Sequence, residues 1–159
     1  MATTIAADSA QVRGARRLRG TIRVPGDKSL SHRALLFNAL ATGTAQVHGF
    51  LDGADCRTTL AALRAMGVAI TETGETLTVH GAGLNGLHEP ADVLDCGNSG
   101  TTTRLLLGIL AGQPFFAALT GDASLRRRPM ARVTVPLARM GAHFSGRSSD
   151  TLLPLAVRG

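Results

Sequence analysis

The sequence predicts an α/β fold in which a strand, helix, strand, helix, strand, strand unit is used twice. Two echoes carry this reading. Arg33 Ala34 Leu35 Leu36 is answered by Arg104 Leu105 Leu106 Leu107, and Leu63 Arg64 Ala65 Met66 Gly67 by Leu137 Ala138 Arg139 Met140 Gly141. The paired features lie about 71 to 74 positions apart and fall on matching elements, which is how an internal repeat of whole supersecondary units shows itself. A chain of 159 residues that is 44% hydrophobic can bury a real core, and its length favours one domain over two.

Taken in order, residues 1–10 are rich in Ala and Thr, lack the basic-then-apolar order of a secretory signal, and read as a disordered leader. Residues 18–24 alternate as a strand. Residues 30–41 follow as an apolar helix, with Ser29 or Ser31 available to cap it, Asp27 as a turn residue, and Thr42 Gly43 as its stop. Residues 45–50 form the next strand. Asp52 and Asp55 read as caps for a helix over 56–66, where Leu60, Leu63 and Met66 mark one face and Gly67 ends it. Residues 68–71 and 76–80 make a hairpin about Thr73 Gly74 Glu75. The second copy has a strand at 92–95, a loop at 96–100, a helix at 101–111 and a strand at 115–120. Arg126 Arg127 Arg128 Pro129 then leads into a helix ending at Gly141, and two short strands close the unit.

Net charge is +6 with a pI near 11.2, so nucleic acid is a partner to consider. Five Phe, no Trp and no Tyr leave little to stack on bases, and the basic residues are scattered among apolar runs. No nucleic-acid partner is expected, and an acidic small molecule fits the charge. Cys56 and Cys96 form no Cys-x-x-Cys pair, and the five histidines show no metal-ligand spacing, so neither a metal site nor a disulfide scaffold is expected. Free thiols suit a reducing, cytoplasmic setting, and no apolar run is long enough to suggest a membrane span.

One position stands out within the basic set. Lys28 is the only lysine among 17 basic residues, set between Gly26 Asp27 and Ser29, where a compact ammonium does what a planar guanidinium cannot. Taken alone, it is equally an exposed loop charge. Gly26, the nearby hydroxyls and Arg33 on the same helix face together make a helix start suited to an anion. His32 reads as one exposed side chain on that helix. Gly97 Asn98 Ser99 Gly100 Thr101, followed by Arg104, offers more donors than a cap requires, although a capped helix with a solvated arginine has the same pattern. Arg126 and Arg127 read as solvated charge, whereas Pro129 fixes the approach of Arg128. Ligands of α/β units gather beyond the carboxyl ends of strands, so the Lys28, Asn98 and Arg128 loops are expected along one edge. Gly81 Ala82 Gly83 Leu84 Asn85 Gly86 matches a dinucleotide fingerprint by spacing, but Pro90 leaves no room for the helix that would receive a pyrophosphate, so it reads as a turn.

Pro25 Gly26 Asp27 Lys28 Ser29 with Ser31 and Arg33, Gly97 Asn98 Ser99 Gly100 Thr101 with Arg104, and Gly121 Asp122 with Arg128 Pro129 resemble the N-terminal part of the 5-enolpyruvylshikimate-3-phosphate (EPSP) synthase family. The resemblance implies the enolpyruvyl transferase fold, with two of the three βαβαββ units of one domain present. Residues 1–24 would be a leader and a strand belonging to the family's second domain, and residues 25–159 an incomplete first domain. It implies transfer of the enolpyruvyl group of phosphoenolpyruvate to the 5-hydroxyl of shikimate 3-phosphate, with no cofactor and no metal. Lys28, Ser29 and Arg33 would hold shikimate 3-phosphate. Lys28, Gly100 and Arg128 would hold phosphoenolpyruvate, with Asp55, Asn98 and Thr101 in support. The family's catalytic acid and base lie outside the matched part, so no catalytic residue is assigned here. The family is usually monomeric, but an unfinished domain predicts exposed apolar surface and a tendency to self-associate. The related UDP-N-acetylglucosamine enolpyruvyl transferase fits less well, because Lys28 Ser29 and Ser124 Leu125 Arg126 replace its Lys-Asn pair and reactive cysteine. A non-catalytic anion-binding fragment that complements another chain is the remaining alternative.

Overall fold

The computed structural model describes residues 4–6, 9–11, 14 and 17–159. Part of the expected leader is ordered into two strands, β1 (Thr4–Ala6) and β2 (Ser9–Gln11), which pair antiparallel; the rest of that reading lies outside the described residues. Residues 18–24, expected as a strand, pair with no strand among the described residues, and Leu18, Ile22 and Val24 are exposed. Alternation supplies two faces but no partner, and an unpaired strand has no ladder to hold it.

Asp27 begins α1 (Lys28–Leu40), because its carboxylate accepts the Leu30 N–H at 2.7 Å. It is therefore the cap, in place of Ser29 or Ser31, and its charge suits the positive end of the helix. Ser31 turns inward instead, donating to the Asp27 carbonyl at 2.8 Å and accepting the Leu51 N–H at 2.9 Å. Gly43 does not stop the helix. Ala41 is already extended, and the chain runs directly into β3 (Thr42–His48).

The next helix, α2 (Ala54–Ala65), has Gly53 at its N-cap and no side-chain cap, which corrects the expected roles of Asp52 and Asp55. Asp52 pairs with Arg57, and Asp55 pairs with Lys28. At its C-terminus the Gly67 N–H bonds to the Arg64 carbonyl and the Val68 N–H to the Leu63 carbonyl, with Gly67 at φ +89°. This double bond around a left-handed glycine satisfies carbonyls that the helix leaves open. The predicted hairpin follows as β4 (Ala69–Thr73) and β5 (Thr76–Ala82), and the sheet order is β3-β5-β4, all antiparallel.

The second unit contains β6 (Leu94–Asp95), α3 (Gly100–Leu110) and β7 (Phe116–Thr120). A 3-10 turn at Leu125–Arg127 precedes α4 (Ala131–Arg139), and the chain ends in β8 (His143–Gly146) and β9 (Leu152–Arg158). Its sheet runs β6-β7-β9-β8, so β7-β9-β8 repeats the arrangement β3-β5-β4. The glycine helix ending is also repeated: Gly141 N–H bonds to the Ala138 carbonyl and Ala142 N–H to the Leu137 carbonyl. Of the glycine-rich stretch expected as a turn, Gly81 and Ala82 close β5 and only Gly83 to Gly86 turn, and no helix follows.

Helices α1 to α4 touch one another in chain order, and α1 lies on β3 and β5. Leu35, Leu63, Leu106, Leu107, Leu119 and Leu155 are fully buried in one continuous core. Each such side chain stabilises the fold by about 1.5–3 kcal/mol relative to exposure. The outer face of α1 leaves Leu30 and Phe37 exposed, and Val135 and Met140 are exposed on and just beyond α4. These match the apolar surface expected of the chain.

Candidate functional site

The first two turns of α1 present Lys28, Ser29 and Arg33, all exposed. Gly26 leads into this helix start by close backbone packing: a Cβ there would lie 1.9 Å from the Gly49 carbonyl oxygen, so only glycine lets the segment pass. The Lys28 ammonium pairs with the Asp55 carboxylate at the start of α2. Arg33 folds back so that Nε donates to the Ser29 carbonyl at 3.2 Å, which leaves the rest of its guanidinium facing solvent.

The loop before α3 is built on two side chains. Ser99 caps the helix by accepting the Thr102 N–H at 3.1 Å, and Thr101 is exposed on the first turn. Asn98 is the hub of a second cluster. Its Nδ2 donates to Asp122 Oδ2 at 2.6 Å, and its Oδ1 accepts Arg128 Nη2 at 2.6 Å. Asp122 also accepts the Leu125 N–H at 2.7 Å and sends its own N–H to the Gly97 carbonyl at 2.8 Å. The Asn98 bond, followed by the Leu125 N–H and the charge of Arg128, holds the Asp122 carboxyl below its ordinary range. Arg128 is half-buried while Arg126 and Arg127 are exposed, which separates one positioned guanidinium from two solvated ones. Pro129 does not open α4 as expected. The 3-10 turn comes first, and Met130 stands at the N-cap.

Gly100 sits between two cations. A Cβ placed there would lie 2.5 Å from Arg104 Nη1 and 3.5 Å from Arg128 Nη1. Arg104 donates through Nη1 to the Gly100 carbonyl and through Nη2 to the Pro129 carbonyl, each at 3.2 Å, and so ties the start of α3 to the Arg128 loop. Burial, with repulsion from Arg132 and Arg128, pulls the pKa of Arg104 down.

The two clusters meet at Asp55. Its side chain faces Lys28, and its backbone carbonyl accepts the Thr102 hydroxyl at 3.1 Å, so the starts of α1, α2 and α3 are neighbours. The Lys28, Asn98 and Arg128 loops therefore lie side by side, as the sequence predicts. Sequence reasoning missed the tie through Thr59 and Thr102, and it placed His32 on the surface although His32 is 0% exposed. The available signal was spacing: His32 is one residue past Ser31 and three before Leu35, both on the buried face. Both thiols are buried, and burial pushes Cys96 up to about 11, so neither is poised as a nucleophile.

Residues 12–159 match the family described as EPSP synthase (3-phosphoshikimate 1-carboxyvinyltransferase). The 3-phosphoshikimate 1-carboxyvinyltransferase of Chloroflexus aurantiacus is 63% identical over 145 residues, covering 91% of this chain and 33% of that protein. The enzyme of the same name from Herpetosiphon aurantiacus is 60% identical, covering 91% of this chain and 34% of its own length. Among solved structures, an EPSP synthase from Acinetobacter baumannii superposes with a TM-score of 0.84 at 48% identity, over 88% of this chain and 32% of that one. The chain spans about a third of the length of the relatives it matches.

Proposed function

Because the chain belongs to the EPSP synthase family, we propose that it supplies the half-site that gathers shikimate 3-phosphate and phosphoenolpyruvate for enolpyruvyl transfer. The observation that supports this most is the meeting of two cationic helix starts, Lys28 with Arg33 and Gly100 with Arg128, across Asp55. In this reading Lys28, Ser29 and Arg33 hold shikimate 3-phosphate. Lys28, Gly100 and Arg128 take phosphoenolpyruvate, while Asp55, Asn98 and Thr101 set the positions of these ligands' partners. Two anions repel as they approach, and fixed cations placed around them offset that repulsion without reorganising. Residues 25–159 act as part of the first domain, and residues 1–24 as a segment that serves the second. A cytoplasmic setting fits these substrates, and no described helix is long and apolar enough to cross a membrane.

The chain binds and does not turn over. The transfer needs a base for the 5-hydroxyl as its oxygen bonds to the enolpyruvyl carbon, an acid to protonate the methylene, and a base to take a proton back from the resulting methyl as phosphate leaves and the double bond re-forms. The nearby candidates are occupied. Asp27 caps α1, Asp52 is paired with Arg57, Asp55 with Lys28, Asp122 with Asn98, and His32 is buried. The test is a titration of shikimate 3-phosphate into the purified chain, followed by amide shifts, alongside a phosphate-release assay with both substrates. Binding that Lys28→Ala abolishes, with no phosphate above background, is expected. Addition of the remaining two thirds of a relative should then restore release. Steady release by the pure chain, or ligand shifts that ignore Lys28→Ala, would overturn this function.

A further inference from the structure

His32 alone among the five histidines is fully buried, and its Nε2 has no hydrogen-bond partner. An imidazole in that place carries a polar cost that a leucine would not, so its other nitrogen is the place to look for a purpose. Nδ1 lies 2.8 Å from Thr59 Oγ1, which lies 2.7 Å from Thr102 Oγ1. Thr102 Oγ1 also meets Ser99 Oγ at 2.7 Å and donates to the Asp55 carbonyl at 3.1 Å. Thr59, Thr102 and Ser99 are all 0% exposed, so water does not compete for these bonds.

The bond to Asp55 gives the chain its direction. A carbonyl only accepts, so the Thr102 hydroxyl proton is committed there, and Thr59 has to donate to Thr102. The Thr59 oxygen then accepts from His32, which places the imidazole proton on Nδ1. Nε2 is left as a bare lone pair, and a second proton there would bury a charged N–H with no acceptor. Burial lowers the His32 pKa and the Lys28 ammonium lowers it further, with the Asp55 carboxylate alone opposing. The bonds also close a circuit, since Lys28, one turn before His32 on α1, pairs with the side chain of Asp55.

We infer that His32, held as the neutral Nδ1–H tautomer, is a positioning residue whose chain through Thr59 and Thr102 to Asp55 locks the first turns of α1, α2 and α3 together. Those turns carry Lys28, Asp55 and Gly100, and the consequence for ligands rests on the proposed function above. A chain of bonds with one permitted sense resists sliding of any helix along its neighbour, because each hydroxyl has its donor and acceptor sides already used.

The imidazole nitrogens of the 15N-labelled 159-residue chain report the tautomer directly at pH 7, with no ligand present. Nδ1–H is expected for His32, and an Nε2–H tautomer or an imidazolium overturns the inference. Thr59→Val removes the hydroxyl at nearly constant shape. It should abolish the Nδ1–H signature, shift the Lys28 and Gly100 amides, and weaken shikimate 3-phosphate binding about tenfold, while Thr59→Ser restores all three. Unchanged tautomer and amides in a folded Thr59→Val chain also overturn it. Should Thr59→Val fail to fold, the parent and Thr59→Ser decide, because loss of Nδ1–H in the serine variant contradicts the chain of bonds. If the tautomer and amides respond as expected but no variant or parent binds shikimate 3-phosphate, the substrate reading fails and the positioning role of His32 stands.

Discussion

Gly100→Ala should weaken phosphoenolpyruvate binding by about tenfold, and it should do so through Arg104. The added Cβ would stand 2.5 Å from Arg104 Nη1, closer than real Cβ atoms approach a neighbour, so the guanidinium has to move by about 1 Å to reach ordinary contact. Moving it breaks the 3.2 Å bond to the Gly100 carbonyl, at a cost of about 1.5 kcal/mol for a charged donor. Alanine at a helical position returns up to ~1 kcal/mol of that, so overall stability should change by less than about 1 kcal/mol. Affinity does not share in the return. The same displacement pulls on the Arg104 bond to the Pro129 carbonyl, next to Arg128, and the methyl also fills space beside the Arg128 guanidinium. The assay is a phosphoenolpyruvate titration with shikimate 3-phosphate saturating, read from the Gly100 and Arg128 amides and paired with urea unfolding. A second series in an Arg104→Ala background isolates the route, since there Gly100→Ala should cost little more. Unchanged affinity in the single variant, or an equal loss in both backgrounds, would refute the reasoning.

Lys28→Arg should lower shikimate 3-phosphate affinity at least about tenfold, because a planar fork cannot replace a point charge set against Asp55; affinity within twofold of the parent would show the lone lysine to be incidental. Ionised Asp122 binds Asn98 and Leu125 in the folded chain, and its folded pKa lies below the ordinary 3.8. Its stabilising contribution is therefore complete above that value and is lost as pH falls through the lowered one. Asn98→Ala should shrink this part of the acid-unfolding profile, and superimposable profiles would count against the assignment. With Cys96 pushed up to about 11 and both thiols buried, the native chain should resist thiol-directed alkylation at pH 8 and react fully in urea; prompt modification of folded protein would contradict this burial.

The repeat and most of its elements were legible because they depend on local order. A 3.6-residue apolar period, the glycines that end α2 and α4, and a tight hairpin at Thr73 Gly74 Glu75 all announce themselves within a few positions. Residues 18–24 show the limit of that reading. They alternate, yet a strand also needs a neighbour, and neighbours are chosen by the rest of the chain. The caps failed for a smaller reason. Asp27, Ser29 and Ser31 were all competent, and the winner was decided by where the helix starts, which Gly26 sets by its close passage over Gly49. In the site, the charged residues were recognisable by type, whereas their partners were not. Nothing local says that Asp55 turns to Lys28, or that Asn98 joins Asp122 to Arg128, since these pairs are separated by 27, 24 and 30 positions.

Internal duplication also gives the chain two arginines that start from equivalent places and end with different degrees of freedom. Arg33 and Arg104 occupy equivalent places, each four residues after a residue whose carbonyl it bonds, Ser29 in the first unit and Gly100 in the second. From that shared start they part. Arg33 makes no further bond among the described residues and stays exposed, so its remaining N–H groups are available to a ligand phosphate. Arg104 is half-buried and spends its second Nη on the Pro129 carbonyl, so it braces the loop that delivers Arg128. Arg128 is then the exchangeable donor of the second unit, held by Asn98 at one edge of its guanidinium. The first unit thus offers an arginine that can close on its ligand, and the second offers one that is already in place. Under the proposed function, that difference gives the Lys28 and Arg33 side a donor free to adjust to its ligand and the Gly100 and Arg128 side a donor held in place.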